Sequence, residues 1–234
     1  MAVKSIYLPD PIVEGDRIRV TDEEHHHLQV SRTVENAAVE VFDGRGGVWA
    51  AQVVSFNKRE TVLRVVEFRR VEKRGPELLL GLSLIKSSAF ELALEKVVEV
   101  GVASIIPVIA NRSNAAPPRR SDRWQRVVVE AAKQSKRYHL PSVESVMRFD
   151  DVLSIPAVTK IVFAERDGGP LKSALAGAPA LFLVGPEGGW TDAEMDAARH
   201  RGFHPVSLGD GILRAETAAI TGAALIRYEL EQVL

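Results

Sequence analysis

Two glycine-lined turns near the C-terminus carry the residues best placed for chemistry. The first runs Leu181-Phe182-Leu183-Val184-Gly185-Pro186-Glu187-Gly188-Gly189-Trp190-Thr191-Asp192-Ala193-Glu194. An apolar run enters a turn whose three glycines let backbone come close to a ligand and present amide groups to it. Thr191, with Glu194 three residues on, has the spacing of a capping box that starts a helix. The turn is not GxGxxG and lacks the Lys-Ser/Thr of a phosphate-binding loop, so neither a dinucleotide nor a nucleoside triphosphate is favoured. Two readings fit it: an adenosine held by backbone atoms, or a tight strand-to-helix turn without a ligand.

The second turn is Val206-Ser207-Leu208-Gly209-Asp210-Gly211-Ile212-Leu213-Arg214-Ala215-Glu216-Thr217-Ala218. Another strand ends in glycines, and a helix is expected to begin near Glu216 or Thr217. Its small residues Ala218, Ala219, Gly222, Ala223 and Ala224 permit close backbone packing. Arg214 follows two apolar residues, which sets a guanidinium near a packed surface, either for a ligand or in a pair with Glu216 or Glu187. A guanidinium stays protonated in proteins, so Arg214 can hold an anion or a carbonyl oxygen but cannot act as a base.

Other candidates are weaker. His25, His26 and His27 are consecutive, and on a helix such residues point about 100° apart, so they do not converge on a metal. With no cysteine in the chain, thiolate sites and disulfides are excluded. His27 is the one to follow, for packing first and for ligand contact second. A basic run, Arg112, Arg119, Arg120, Arg123, Arg126, Lys133, Lys136 and Arg137, is opposed only by Asp122 and Glu130. It reads either as the seat of an anionic partner or as a solvated charged face. The net charge of -1 argues against a protein that grips nucleic acid with its whole surface. An aromatic content of 6% gives little support to a general single-strand binder built on stacking. No window approaches the ~18 apolar residues of a membrane span, and the expected location is the cytoplasm, with no membrane and no metal.

The elements that must position these residues fall into two textures. From Ser5 to Phe68 short alternating runs, Arg17–Val20, Val39–Phe42, Val48–Val54 and Thr61–Val66, predict strands in a small antiparallel barrel or sheet, with Asp43-Gly44-Arg45-Gly46-Gly47 as a turn. The polar segment Arg69–Glu77, containing Gly75-Pro76, marks a boundary between residues 1–70 and 77–234. Beyond it, runs at Leu78–Ile85, Ser104–Ile109, Lys160–Ala164, Ala180–Val184 and Pro205–Leu208 alternate with helical spacing such as Phe90, Leu94, Val97 and Val98. That is βαβ texture, and it predicts an α/β fold with a mostly parallel sheet whose ligands bind in loops at strand ends.

Taken together, Gly185-Pro186-Glu187-Gly188-Gly189, Leu208-Gly209 and Ile212-Leu213-Arg214-Ala215-Glu216-Thr217-Ala218 resemble the signature of the RsmE family, SPOUT-class methyltransferases of 16S ribosomal RNA. His27, Val30 and Arg32 match an early motif of that family, and Glu99, Gly101 and Val102 a helix end. Arg112-Ser113, Glu130-Ala131-Ala132, Gln134-Ser135 and Arg137 match further stretches, so the resemblance spans nearly the whole chain. Departures are Lys86-Ser87-Ser88-Ala89 where Lys-Gly-Asp-Arg is usual, Asn111 for an acidic residue, Lys133 for Glu and Gly211 for a common Arg.

The resemblance implies an N-terminal PUA-like β-barrel that helps hold RNA and a C-terminal α/β domain with a deep trefoil knot in about 160–234. It also implies a homodimer whose sites are completed by the partner chain, S-adenosylmethionine as cofactor, and methylation at N3 of a 16S rRNA uridine within the 30S subunit. The implied cofactor residues are Glu165, Val184, Gly185, Pro186, Glu187, Gly188, Gly189, Leu208, Gly209, Ile212, Leu213 and Arg214. Arg214 and Glu216 are the expected catalytic residues, with Glu216 or Glu165 as proton acceptor, and His27, Arg32, Lys86, Arg112 and Arg137 the expected RNA contacts. A non-catalytic ribosomal RNA-binding or assembly protein of the same fold is the alternative; an NAD-dependent oxidoreductase is disfavoured by the missing GxGxxG.

Overall fold

The computed structural model describes residues 3–31, 33–113 and 122–232. Arg32, Pro117, Pro118, Arg119 and Arg120 therefore lie outside the described residues. The chain divides into two compact units, Met1–Lys73 with Ala132–Leu140, and Arg74–Ala131 with Pro141–Leu234. The division falls within the polar Arg69–Glu77 segment, but the return of 132–140 to the first unit was not marked by any change of texture.

The first unit contains β1 (Lys4–Tyr7), β2 (Val13–Glu14), β3 (Arg17–Val20), α1 (Asp22–Val30), β4 (Ala38–Phe42), β5 (Gly47–Phe56) and β6 (Thr61–Arg70). They form one sheet in the order β1-β4-β5-β6-β3-β2. The alternation in these strands works as expected: Ile18, Val20, Val39, Val41, Val53 and Leu63 all point into one core with Ile6 and Leu28. The sheet is not purely antiparallel, because β1, absent from the expected strands, lies parallel to β4.

Segment 132–140 is tied into this unit by polar contacts. Lys133 Nζ donates to both carboxylate oxygens of Glu24, at 3.0 and 3.2 Å, with Lys133 buried and Glu24 half-buried. The departure to Lys at this position thus has a partner on α1. Lys136 Nζ donates to Ser5 Oγ (2.6 Å), Glu40 Oε1 (3.0 Å) and the Val3 carbonyl (3.1 Å), and the Tyr138 hydroxyl donates to Glu40 at 3.0 Å. Burial alone would raise the Glu40 carboxyl, but the hydrogen bonds from Lys136 and Tyr138 and the Lys136 charge outweigh it and hold Glu40 below the ordinary glutamate range.

The second unit contains β7 (Leu78–Ser83), α2 (Ser87–Val100), β8 (Ser104–Ile109), the first ten residues of α3 (Asp122–Ser135), β9 (Ser142–Val143), β10 (Met147–Arg148), α4 (Phe149–Val152), β11 (Thr159–Phe163), α5 (Leu171–Ala174), β12 (Ala180–Val184), α6 (Asp192–His200), β13 (His204–Val206) and α7 (Ala215–Glu231). Its strands run in the order β10-β8-β7-β12-β11-β13, with β9 also on β8, and every pairing is parallel. Helices cover both faces: α2 and α7 pack together over β7 and β12, and residues of α4 and α6 join Ile106, Val108, Val162, Leu181 and Leu183 on the other side. Strand β12 is accordingly buried throughout. No helix among the described residues is long and apolar enough to cross a membrane.

The small-residue stripe of α7 has a specific use. A Cβ built at Gly222 would sit 2.6 Å from Cζ of Phe163, at the end of β11, and closer still to its Cε2. Phe163 cannot yield easily, being buried and packed edge-on against Phe182 with ring centroids 6.0 Å apart. Gly222→Ala gains about 1 kcal/mol of helix propensity but overpacks this contact by about 1–3 kcal/mol. The expected outcome is a lower thermal midpoint; a midpoint that rises would show that Phe163 gives way.

Glu40 yields a pH prediction in the first unit. A carboxylate held below its unfolded value of 4.5 stabilises the fold above that value, and the contribution is lost as pH falls through the folded pKa. Glu40→Gln should therefore be less stable than the parent in urea at neutral pH by about 1–3 kcal/mol, the scale of charged hydrogen bonds. The gap should close below the glutamate range, and a gap independent of pH would dissociate it from the charge.

Candidate active site

Three adjacent strands end at the same edge of the second unit's sheet, and their loops meet. The Gly-rich turn leaves β12, residues 164–167 leave β11 and residues 207–214 leave β13, with β11 paired to both neighbours. Together with the start of α2 they enclose a cleft of about 1290 Å³. It is lined by Glu165, Val184, Gly185, Pro186, Glu187, Gly188, Gly189, Leu208, Gly209, Ile212, Leu213, Arg214 and Glu216, and also by Lys86 and Arg112. His27 and Arg137 belong to the first unit. Arg32 lies outside the described residues.

The turn after β12 is braced from several sides. Trp190 Nε1 donates to the Phe163 carbonyl at 3.0 Å, which ties the turn after β12 to the end of β11, and its ring packs on Phe149 with centroids 4.9 Å apart. Arg112 Nη1 donates to the carbonyls of Gly188 (2.9 Å) and Trp190 (3.3 Å). Inside the turn the Gly189 amide reaches the Pro186 carbonyl at 2.8 Å. The expected capping box is present: the Thr191 hydroxyl accepts from the Glu194 amide and the Glu194 carboxylate from the Thr191 amide. Glu194 Oε1 also accepts the Asn111 amide at 2.7 Å, a backbone contact that does not depend on the side chain at 111. The Lys86 amide reaches Glu187 Oε1 at 3.4 Å.

The loop after β13 is built differently. Gly209 has φ +125°, a backbone conformation that L side chains rarely adopt, so glycine is required there. A Cβ at Gly211 would meet nothing within 4 Å, which leaves room for the larger residue usual at this position. Helix α7 begins at Ala215, slightly earlier than expected, with Arg214 as its N-cap. Arg214 is exposed, and among the described residues it makes no ion pair or side-chain hydrogen bond, so the pairing with Glu216 or Glu187 does not occur. Glu216 is half-buried in the first turn of α7, and Glu165 is exposed after β11.

Free backbone donors complete the site. Among the described residues the amides of Glu187, Gly188, Gly211, Ile212 and Leu213 have no partner within the protein. Backbone donors on two loops, an apolar floor of Val184, Pro186, Leu208 and Leu213, and an unpaired guanidinium suit a ligand that is part heterocycle and part polar. The cleft also exceeds the ~300–1,000 Å³ of typical small-molecule sites, so a second reactant fits beside the first.

Several readings change on sight of the structure. The histidine that packs is His25, which is buried with Nδ1 2.8 Å from Thr61 Oγ1, whereas His27 is exposed. The basic run is not one solvated stripe: Arg123 pairs with Glu91 at 2.7 Å, and Lys133 and Lys136 are engaged with Glu24 and Glu40. Arg112, expected at the RNA, is engaged with the turn. The bracing bond between Trp190 and Phe163 has one signal in the sequence, an aromatic residue directly after a glycine pair, whereas Phe163 itself opens the 163–167 loop that the resemblance assigns to the cofactor.

Comparison with known proteins gives matches along most of the chain. A family model described as an RNA methyltransferase domain matches residues 72–227, and one described as an RNA methyltransferase PUA domain matches 20–66. Ribosomal RNA small subunit methyltransferase E of Synechocystis sp. is 34% identical over 99% of this chain and 79% of its own length. The protein of the same name from Rickettsia conorii is 28% identical over 97% of this chain and 96% of its length. Among solved structures, ribosomal RNA small subunit methyltransferase E from Neisseria gonorrhoeae, bound to S-adenosyl methionine, superposes with a TM-score of 0.90 at 30% identity, covering 97% of this chain and 98% of that one.

The bracing predicts a local effect. Trp190→Phe keeps a ring against Phe149 but deletes the donor to the Phe163 carbonyl. Hydrogen exchange at the amides of the turn should speed up roughly tenfold, the scale of one lost hydrogen bond, with β7 and β8 unchanged. Unaltered exchange in the turn would remove the indole contact as its brace.

Proposed function

The chain belongs to the RsmE family of ribosomal RNA small subunit methyltransferases, and from that premise we propose that it transfers the methyl group of S-adenosylmethionine to N3 of a uridine in 16S rRNA. The observation that carries this is the convergence of the loops after β12, β11 and β13 on one cleft with free backbone donors and an unpaired Arg214.

The residues fit the cofactor. The amides of the two glycine loops would hold its adenosine, with Val184, Pro186, Leu208 and Leu213 against the base and Glu165 and Glu187 at its polar groups. The sulfonium supplies an electrophilic methyl group, so the protein's task is alignment, exclusion of water and removal of the N3 proton. Arg214 holds a uracil oxygen or a neighbouring phosphate. Glu216, or Glu165 on the facing loop, takes the proton directly or through water. Because N3 lies on the Watson-Crick edge, the uridine leaves its stack to reach the cleft.

The proposal extends to the assembly. The exposed side chains of Leu225 and Tyr228 on α7 leave an apolar strip that a second copy would cover, which supports a homodimer. A trefoil knot within 160–234 is supported by the order β7-β12-β11-β13, in which β12 is inserted between strands that precede it in the chain. The 30S subunit is the proposed substrate particle, with His27 and Arg137 in the PUA domain, Arg32, and Lys86 at the cleft as RNA contacts. Arg112 serves the RNA indirectly, by shaping the turn.

The test is transfer from labelled S-adenosylmethionine to 30S subunits lacking the modification, followed by mapping of the methylated base. Tight RNA binding with neither transfer nor a thermal shift on adding the cofactor would favour the assembly-protein alternative. Arg214→Ala should lower turnover by about 10²–10³, as when one preorganised donor is removed from a site, while cofactor affinity by calorimetry stays within about threefold. Equal turnover in the variant would take Arg214 out of the mechanism.

A further inference from the structure

Ile212 is the most exposed large apolar residue of the cleft, at 78% against 43% for Leu92, and it stands between Gly211 and Leu213, two residues before Arg214. A Cβ at Gly209 or at Gly211 meets nothing within 4 Å, so this limb of the loop projects clear of its surroundings. Arg214 itself has extended backbone, with φ -64° and ψ 153°, while Gly211 lies in a bend and residues 212–214 belong to no helix or strand. Ile212 and Arg214 are both exposed and both line the cleft, one apolar and one cationic. Leu213 between them is half-buried.

We infer that Ile212 is a wedge: its side chain enters the RNA stack where the uridine has left it and holds the base out in the cleft. The inference rests on the methyltransferase reading above and deepens it. A base extracted from a stack leaves a flat apolar slot, and nucleic-acid-bending proteins fill such steps with Phe, Leu, Ile, Met or Pro. A β-branched side chain is stiff at χ1 and keeps its direction without support from neighbours. Arg214 beside it would hold the extracted nucleotide by an oxygen, so that one short segment both opens the stack and retains the base. Lys86 across the cleft, also exposed, adds a cation for the backbone. Ile212 is on this account a positioning residue, since it touches the RNA but not the reacting atoms.

The test uses the full-length protein and an RNA containing the mapped uridine, with 2-aminopurine as its 3′ neighbour. Binding by the parent protein should raise the 2-aminopurine fluorescence, which reports unstacking. Ile212→Ala should lose most of that rise and lower kcat/KM roughly tenfold, with cofactor affinity and sedimentation unchanged. Ile212→Met, which keeps an apolar side chain of similar reach, should retain the signal. Three results overturn the wedge alone: a full fluorescence rise in Ile212→Ala, a matching loss of cofactor affinity, which would make Ile212 a cofactor cover, or a shift to a smaller sedimenting species, which would make it a subunit contact. Absence of methylation by the parent protein sinks the enzymatic reading and takes the wedge with it.

Discussion

The site depends on the parallel pairing of β11 with β12 on one side and β13 on the other. Parallel strands deliver their loops to one edge, so three segments far apart in the chain are forced to meet. Burial on both faces holds the strands in register: β12 is buried along its whole length, and Phe163, Phe182 and Gly222 interlock beneath the loops. A slip of one residue in such a strand would exchange its two faces and put the wrong side chains against each layer of helices. The loops inherit that rigidity through few bonds, of which Trp190 to Phe163 ties the turn after β12 to the end of β11.

How much of this could be read from the chain varies with the length of the signal. Strands with long apolar runs, β7, β8, β11 and β12, and the helix α2 with its helical spacing are legible, as are Thr191 and Glu194 as a capping box, whereas β13 spans only His204–Val206 of a run expected at Pro205–Leu208. Elements of two to four residues, β1, β2, β9, β10, α4 and α5, carry too few positions for any period to show. The two glycine turns were legible because glycine and the residues after it are informative locally. What they could not show was that Arg112, more than 70 positions away, closes the turn through Gly188 and Trp190. Long-range contacts of this kind are made by the fold and leave no local pattern.

Charge was the least legible property. A net charge of -1 and a basic run between Arg112 and Arg137 say how many charges there are, not what they face. In the structure Lys133 meets Glu24 across 109 positions and Lys136 meets Glu40 across 96. Removing one member of the largely buried Lys133–Glu24 pair leaves an uncompensated charge, whereas the pair itself adds little net stability, and the pair of the exposed Lys136 adds little either way. These lysines therefore specify where residues 132–140 attach within the first unit more than they strengthen it. Lys133, where the family usually has Glu, is a departure that finds its partner on α1.

Arg214 stands apart from the paired arginines. Arg45, Arg69, Arg123, Arg199 and Arg227 each have a carboxylate partner, whereas among the described residues Arg214, like Arg166 in the same cleft, has none, although Glu187 and Glu216 line that cleft too. Exposed, its guanidinium is well solvated and carries no penalty for being alone. A phosphate oxygen carrying a full negative charge would gain only about 1 kcal/mol against it at 4 Å in open water, but about 4 kcal/mol once water is displaced and the effective dielectric constant falls to about 20, and a neutral carbonyl oxygen correspondingly less. On the proposed function the interaction would grow as the cleft fills, so Arg214 would contribute most with both reactants in place and least to holding either one alone. An arginine already paired with Glu216 would have to surrender that bond first, and most of the gain would be lost.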